Sequence, residues 1–205
     1  MVVYPSFKHE RDLIAQGFTL LAGVDEAGCG CWAGPVYAAA VILPLNSRIG
    51  MIRDSKTLNQ TQRLKLVEQI KIKATAWSIG TASAQEVDAL NIRQAAFLAM
   101  KRAIETLATQ PQAVLCDGFM IPNLTIPCHR VVQGDKYAKS IAAASILAKT
   151  ARDAELEKLD GDYPGYGFAD HKGYGTKKHQ DALKRLGPSP IHRMSYAPLK
   201  RLVAA

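Results

Sequence analysis

The chain has 205 residues, 48% of them hydrophobic, with 26 Lys and Arg against 18 Asp and Glu, a formal net charge of +8. That length supports one substantial core, or one core with an appendage, and no apolar run approaches the ~18 residues a membrane span needs. The N-terminal stretch carries acids early and has no apolar segment of the signal-peptide kind, so the cysteines at 29, 31, 116 and 128 are expected to be free thiols in a reducing cytoplasm.

In chain order, the pattern predicts a short amphipathic helix over about 5–17, ended by Gly17. Two strands follow, over about 18–25 and 35–43, joined by a glycine-rich loop, and Pro44 stops the second. A polar turn at 53–56 precedes a helix that reaches about Lys73, capped by Thr57 with Gln60 or by Asn59 with Gln62. Residues 75–81 read as a strand, and Ser83 with Glu86 caps a single long helix to about Thr109. A short strand at 113–116 ends on Asp117-Gly118, and a second apolar stretch, 124–132, ends at Gly134-Asp135. An Ala-rich helix is expected from Ser140 to Leu159, then a linker-like stretch rich in Gly and aromatics over 160–176, then a last helix capped by Thr176 and stopped at Gly187-Pro188. Trp32 and Trp77 are read as core residues.

The charge is unevenly spread. Residues 171–201 hold eight of the 26 basic residues and one of the 18 acids, so the rest of the chain is nearly neutral. A local basic stretch suits a phosphate backbone, although a solvated basic face reads the same way.

The stretch LAGVDEAGCGCWAGP, residues 21–35, is the most unusual. Asp25 and Glu26 end an apolar run, and glycines at 28, 30 and 34 follow. Alternation along a regular strand would send the two carboxylates to opposite faces, so they share a site only if the strand stops near Asp25 and the loop re-aims Glu26. One reading is a divalent metal site with loop amides facing an anionic substrate. Another is a dinucleotide fingerprint, since Gly28-x-Gly30-x-x-Ala33 fits G-x-G-x-x-A, but Gly34-Pro35 and a second strand stand where that fingerprint needs a helix. A hairpin with solvated acids leaves the glycines without a role. A zinc site from Cys29-x-Cys31 has a spacing shorter than the usual knuckle and its other thiols far away.

Asp117 and Asp135 repeat the first pattern: an apolar segment, a carboxylate, glycine beside it. Singly each is an ordinary turn or cap residue. Jointly, four carboxylates delivered by element ends suit two hard divalent ions, one activating water and one stabilising the leaving oxygen in phosphodiester hydrolysis.

The blocks GVDEAGCGCWAGPV, DSKTL at 54–58, CDG at 116–118, GDKYAKSIAAASILAKTARD at 134–153, YPGYGFADHKGYGTKKH at 163–179 and GPSPIHRMSYAP at 187–198 resemble bacterial ribonuclease HII, in that family's order and over about residues 20–200. The resemblance implies a ribonuclease H-like fold, a mixed five-stranded sheet flanked by helices with a C-terminal helical extension. It places the catalytic domain at 1–160 and a basic extension at 161–205 packed on the same domain. It implies an endonuclease that cuts RNA in RNA/DNA hybrids and nicks duplex DNA 5′ of an embedded ribonucleotide, leaving 3′-hydroxyl and 5′-phosphate ends. The family's metal-binding and catalytic acids fall on Asp25, Glu26, Asp117 and Asp135, with Mg²⁺ or Mn²⁺ as cofactor.

The loop that reads the ribose 2′-hydroxyl falls on Gly28, Cys29 and Gly30, the stacking tyrosine on Tyr174, and a phosphate-contacting lysine on Lys56. Asp153 matches a further acid, expected to pair with Arg152 or a neighbouring base. The family's loop is usually Gly-Arg-Gly, so Cys29 is a departure. Backbone recognition survives it, a phosphate contact worth roughly 1.5–3 kcal/mol is lost, and Arg at position 29 is expected to tighten binding. Ribonuclease HIII usually carries an extra N-terminal domain, and only about twenty residues precede the motif here.

His171, His179 and His192 are read as structural or phosphate-facing groups rather than metal ligands. The tail after Pro198 carries no evident clamp-binding motif, and a monomer without membrane association is expected. Two rivals remain: a non-catalytic nucleic-acid-binding module, which would bind hybrid without metal, and a DNA nuclease on the same fold, which would ignore the ribose.

Overall fold

The computed structural model describes residues 4–203. Its centre is β1 (Leu21–Ala27), which is buried on both faces. Antiparallel to it runs β2 (Val36–Ile42), and antiparallel to that β3 (Ala76–Ala82). On the other side β4 (Ala113–Asp117) and β5 (Cys128–Val131) are parallel to β1. The mixed five-stranded sheet therefore has the order β3-β2-β1-β4-β5. A strand this apolar belongs in the middle, because only there do helices cover both faces.

Each face has its own core. On one, Ala22, Val24, Ala38 and Ala40 meet Ala95, Ala99, Met100 and Ala103 of α4 (Ile92–Glu105). On the other, Ala39 and Val41 meet Ala143, Ile146 and Leu147 of α6 (Lys139–Asp162), with Val67 and Ile70 of α2 (Gln60–Lys73) behind. Each fully buried Leu or Ile there contributes about 1.5–3 kcal/mol. The Ala-rich face of α6 lets the backbones approach closely. A Cβ on Gly23 of β1 would lie 2.2 Å from the carbonyl carbon of Ser140. Beside α6, α1 (Lys8–Ile14) buries Leu13 and Glu10, and Glu10 accepts from the Ser140 amide and hydroxyl.

Several expectations are corrected. β1 does not stop at Asp25; its ladder with β2 continues through Glu26↔Ala38 and Ala27↔Tyr37. The helix foreseen over 83–109 is two. The Ser83–Glu86 capping box opens α3 (Ala84–Leu90), and Asn91 at φ +73 breaks the chain and caps α4 by accepting from the amides of Arg93 and Gln94. That φ, with ψ 161, is a strained region for any residue but glycine, and the side-chain cap holds Asn91 in it, so a sequence period running through it is no proof of continuity. Trp77 is not core: β3 is an edge strand, and the ring is 38% exposed under the Lys71 ammonium.

Of the two caps offered for α2, Asn59 with Gln62 is the one formed. The stretch 160–176 is folded rather than linker-like. It holds α7 (Phe168–His171) and buries Tyr166 and Phe168 against Ala33, Leu156 and Leu183, the last from α8 (Lys177–Leu186). The tail forms α9 (Ala197–Val203), within the helical extension that the resemblance implies.

Candidate active site

The glycine loop after β1 is held from beneath by two fully buried arginines. Arg193 donates to the carbonyls of Gly28 (2.8 Å), Cys31 (2.8 Å), Cys29 (3.3 Å) and Gly34 (2.8 and 3.0 Å). Tyr196 accepts from the same guanidinium and donates to the Cys29 carbonyl at 2.8 Å. Arg152 of α6 donates to Ala33, Pro35 and Lys172. Gly28 is required here: its φ is +100, and a Cβ would lie 2.1 Å from Arg152 Nε.

With the carbonyls turned inward, the amides of Cys29 and Gly30 have no backbone acceptor among the described residues. Neither arginine pairs with a carboxylate among those residues. Two guanidinium charges beneath amides that have no backbone acceptor favour an anion at the loop.

The four predicted acids gather beside this loop. Asp25 is buried at the end of β1 on the α6 face, and Asp117 ends the neighbouring β4. Asp117 Oδ1 accepts from the Gly134 amide at 2.6 Å, which ties β4 to α5 (Gly134–Tyr137) and so to buried Asp135. Glu26 leaves the opposite face of β1, half-buried, as strand alternation requires. Burial first, then the charges of Glu26 and Asp117, raises the Asp25 carboxyl well above its ordinary range. Burial and Asp117 raise Glu26. Burial, with Asp135 adding, raises Asp117 against the opposing Gly134 amide.

Lys56, in a 3-10 turn capped by Asp54 and pinned to α6 by Ser55–Ser145, lies 3.5 Å from Asp135. Burial works to lower its pKa, and the charges of Asp135, Asp54 and Asp25 outweigh that.

Tyr174 reaches the same place from the other side. A Cβ on Gly30 would touch its ring at 4.0 Å, the Lys149 ammonium stands 5.6 Å from the ring centroid, and the ring is 44% exposed. The Cys29 thiol donates to Glu26 Oε1 at 3.7 Å, and burial with the Glu26 charge pushes its pKa up. Asp153 is not paired with Arg152. It takes Arg63 at 3.1 Å and Lys149 at 2.8 Å, a structural clamp between α2 and α6. The three histidines are buried and bonded to protein groups, as the structural reading expected.

As donors, the four carboxylates suit a hard divalent cation. Three of them are strained by burial and mutual repulsion, and only Asp135 has a basic partner among the described residues. Yet no three His, Cys, Asp or Glu side chains among the described residues stand as a ready ligand set. The charge and chemistry of the four carboxylates fit a hard divalent ion.

A mixed sheet of this order, with acids at the ends of its two central strands, defines a ribonuclease H-like fold. The profile of the family described as ribonuclease HII matches residues 22–199, so the chain belongs to that family and is a ribonuclease H, an endoribonuclease that cleaves RNA/DNA hybrids. The ribonuclease H2 of Pyrococcus horikoshii OT3 is 24% identical with a TM-score of 0.76, over 90% of this chain and 97% of that one. A ribonuclease HII from Archaeoglobus fulgidus, solved in complex with PCNA, is 24% identical with a TM-score of 0.74, over 89% and 96%. Bst-RNase HIII in complex with Mn²⁺ is 17% identical with a TM-score of 0.67, over 90% and 69%. At these identities they show a shared fold.

Sequence reasoning missed Arg152, Arg193 and Tyr196 as builders of the loop. Their acceptors in the loop lie more than a hundred residues away along the chain, so no local spacing signals them.

Proposed function

We propose that Asp25, Glu26, Asp117 and Asp135 hold one or two divalent ions and that the enzyme also nicks duplex DNA 5′ of a single embedded ribonucleotide, leaving 3′-hydroxyl and 5′-phosphate ends. When bound, such ions supply Lewis-acid stabilisation of the charge building on the phosphate and lower the pKa of water. The observation that carries the reading is the juxtaposition of this acid cluster with the Gly28–Gly30 loop, whose amides at 29 and 30 have no backbone acceptor among the described residues and whose carbonyls are held by buried Arg193.

The amides donate to the ribose 2′-hydroxyl and its phosphate. Tyr174, edge-on to Gly30, stacks against the adjoining sugar. Lys56 binds a phosphate while restraining Asp135, and the basic stretch within 161–205 holds the backbone. The Mn²⁺ held by the ribonuclease HIII neighbour is consistent with a divalent cofactor, Mg²⁺ or Mn²⁺.

Cleavage of duplex DNA carrying one ribonucleotide, beside all-DNA duplex and uniform hybrid, with Mg²⁺, Mn²⁺ or EDTA, tests this. A metal-dependent nick 5′ of the ribonucleotide and an intact DNA control are expected. Cutting of hybrid alone would refute junction recognition, and undiminished cutting in EDTA would refute the metal role.

A further inference from the structure

The face of β1 that carries Glu26 opens into a second cleft, distinct from the side where Lys56 meets Asp135. Glu26 and Cys29, Phe97 and Met100 of α4, and Arg93 and Phe119 line a cavity of about 180 Å³. Arg93 is exposed in the first turn of α4, with its guanidinium carbon 5.0 Å from the Phe119 ring centroid. Phe119 stands two residues beyond Asp117 and is 53% exposed. No carboxylate pairs with Arg93 among the described residues. An exposed aromatic ring carrying an unpaired guanidinium is a poor solvent-facing arrangement but a good sugar-phosphate one. The planar fork takes two phosphate oxygens, and the ring takes the face of a sugar or base.

The position adds to the chemistry. Lys56 and Arg93 flank the carboxylates from opposite faces of β1, so a phosphodiester chain crossing the strand end presents a phosphate to each side. We propose that Arg93, braced on Phe119, binds a backbone phosphate of the hybrid on the Glu26 side of the site and sets substrate affinity. This rests on the nucleic-acid reading above. Arg93 pairs with none of the four acids, so its role is binding and not the chemical step.

The test measures hybrid binding by fluorescence anisotropy across a salt series, with cleavage kinetics alongside. The proteins are wild type, Arg93→Ala, Phe119→Ala, Cys29→Arg and the double variant Arg93→Ala with Cys29→Arg. Because Arg93 is exposed, Arg93→Ala is expected to melt with wild type. It should weaken Kd and raise KM about fivefold at low salt, reduce the slope of log Kd on log salt by about one, and leave kcat unchanged.

Phe119→Ala should weaken binding without changing the salt slope. Cys29 lines the same cavity, so an arginine there places a second guanidinium in it. Cys29→Arg should therefore restore more binding in the Arg93→Ala background than it adds to wild type. Wild-type Kd and salt slope in Arg93→Ala would overturn the inference, as would equal gains from Cys29→Arg in both backgrounds. Hybrid that is bound in an Arg93-dependent way but left uncut would uphold the inference and refute the catalytic reading instead.

Discussion

His192 Nε2 lies 2.9 Å from His179 Nε2, and the surrounding donors fix which ring holds the proton. The Ser189 amide donates to His192 Nδ1 at 2.8 Å, so His192 carries its hydrogen on Nε2 and donates to His179. His179 then carries its own on Nδ1 and donates to the Tyr174 carbonyl at 2.9 Å. The chain of bonds ends on the residue assigned to stacking, and it exists only while both rings are neutral. Burial first, then neighbouring histidine charge, lowers His192 to about 4, and burial lowers His179 to about 4. Around the pair are His171, stacked on His179 at 4.3 Å, and the rings of Tyr166, Phe168 and Trp32.

Acid should therefore loosen this corner. A histidine depressed from 6.5 in the unfolded chain contributes stability that is complete above 6.5 and is lost as pH falls through the folded value. For the pair the loss is of the order of a few kcal/mol. Urea unfolding at intervals between pH 7 and pH 4 should show it, and His192→Gln should flatten the profile in that window.

Arg193→Met should destabilise the protein by about 3 kcal/mol or more, because several buried loop carbonyls lose their donor together. Arg193→Lys keeps the charge but not the planar fork, so it should fall between. Melting temperature and kcat/KM on hybrid are expected to drop together in the order wild type, Lys, Met.

Asp117→Asn should abolish cleavage and leave the fold intact, since an amide oxygen still accepts from Gly134. Its carboxyl is raised by burial and by Asp135, so the ionised form opposes folding at neutral pH. The variant should melt at or above wild type in EDTA and gain less on addition of Mg²⁺ or Mn²⁺. Full activity, or an unchanged metal-induced shift, would remove Asp117 from the site.

Gly28→Ala should cost about 2 kcal/mol or more, since the residue needs φ +100 and its methyl group would meet Arg152 at 2.1 Å. Hybrid cleavage should fall further than stability alone explains, because the loop amides move with the arginine.

Much of the molecule was legible in one dimension. Strands rich in buried apolar residues, capping boxes at Asn59 and Ser83, and carboxylates at strand ends are local signals, because backbone geometry translates spacing directly into position. The acids and the glycine loop could be named as candidates on those grounds, and the ordered blocks pointed to the family.

What spacing could not decide was how distant segments meet. β1 continues past Asp25 because β2 pairs with it to Ala27, so Glu26 faces the Arg93 cleft instead of joining Asp25 on one side. The helix over 83–109 breaks at Asn91, where side-chain capping outweighs a period that runs on either side. Arg193 looks like one more basic residue of a charged tail, yet it is fully buried beneath a loop some 160 residues earlier. The sequence by itself named the candidate acids and the glycine loop and located most of the strands and helices, because propensity, capping and alternation act over a few residues. The tertiary structure alone decided which carboxylates share a face, which charges lack partners and what holds the loop carbonyls, because these depend on packing and electrostatics between segments far apart in the chain.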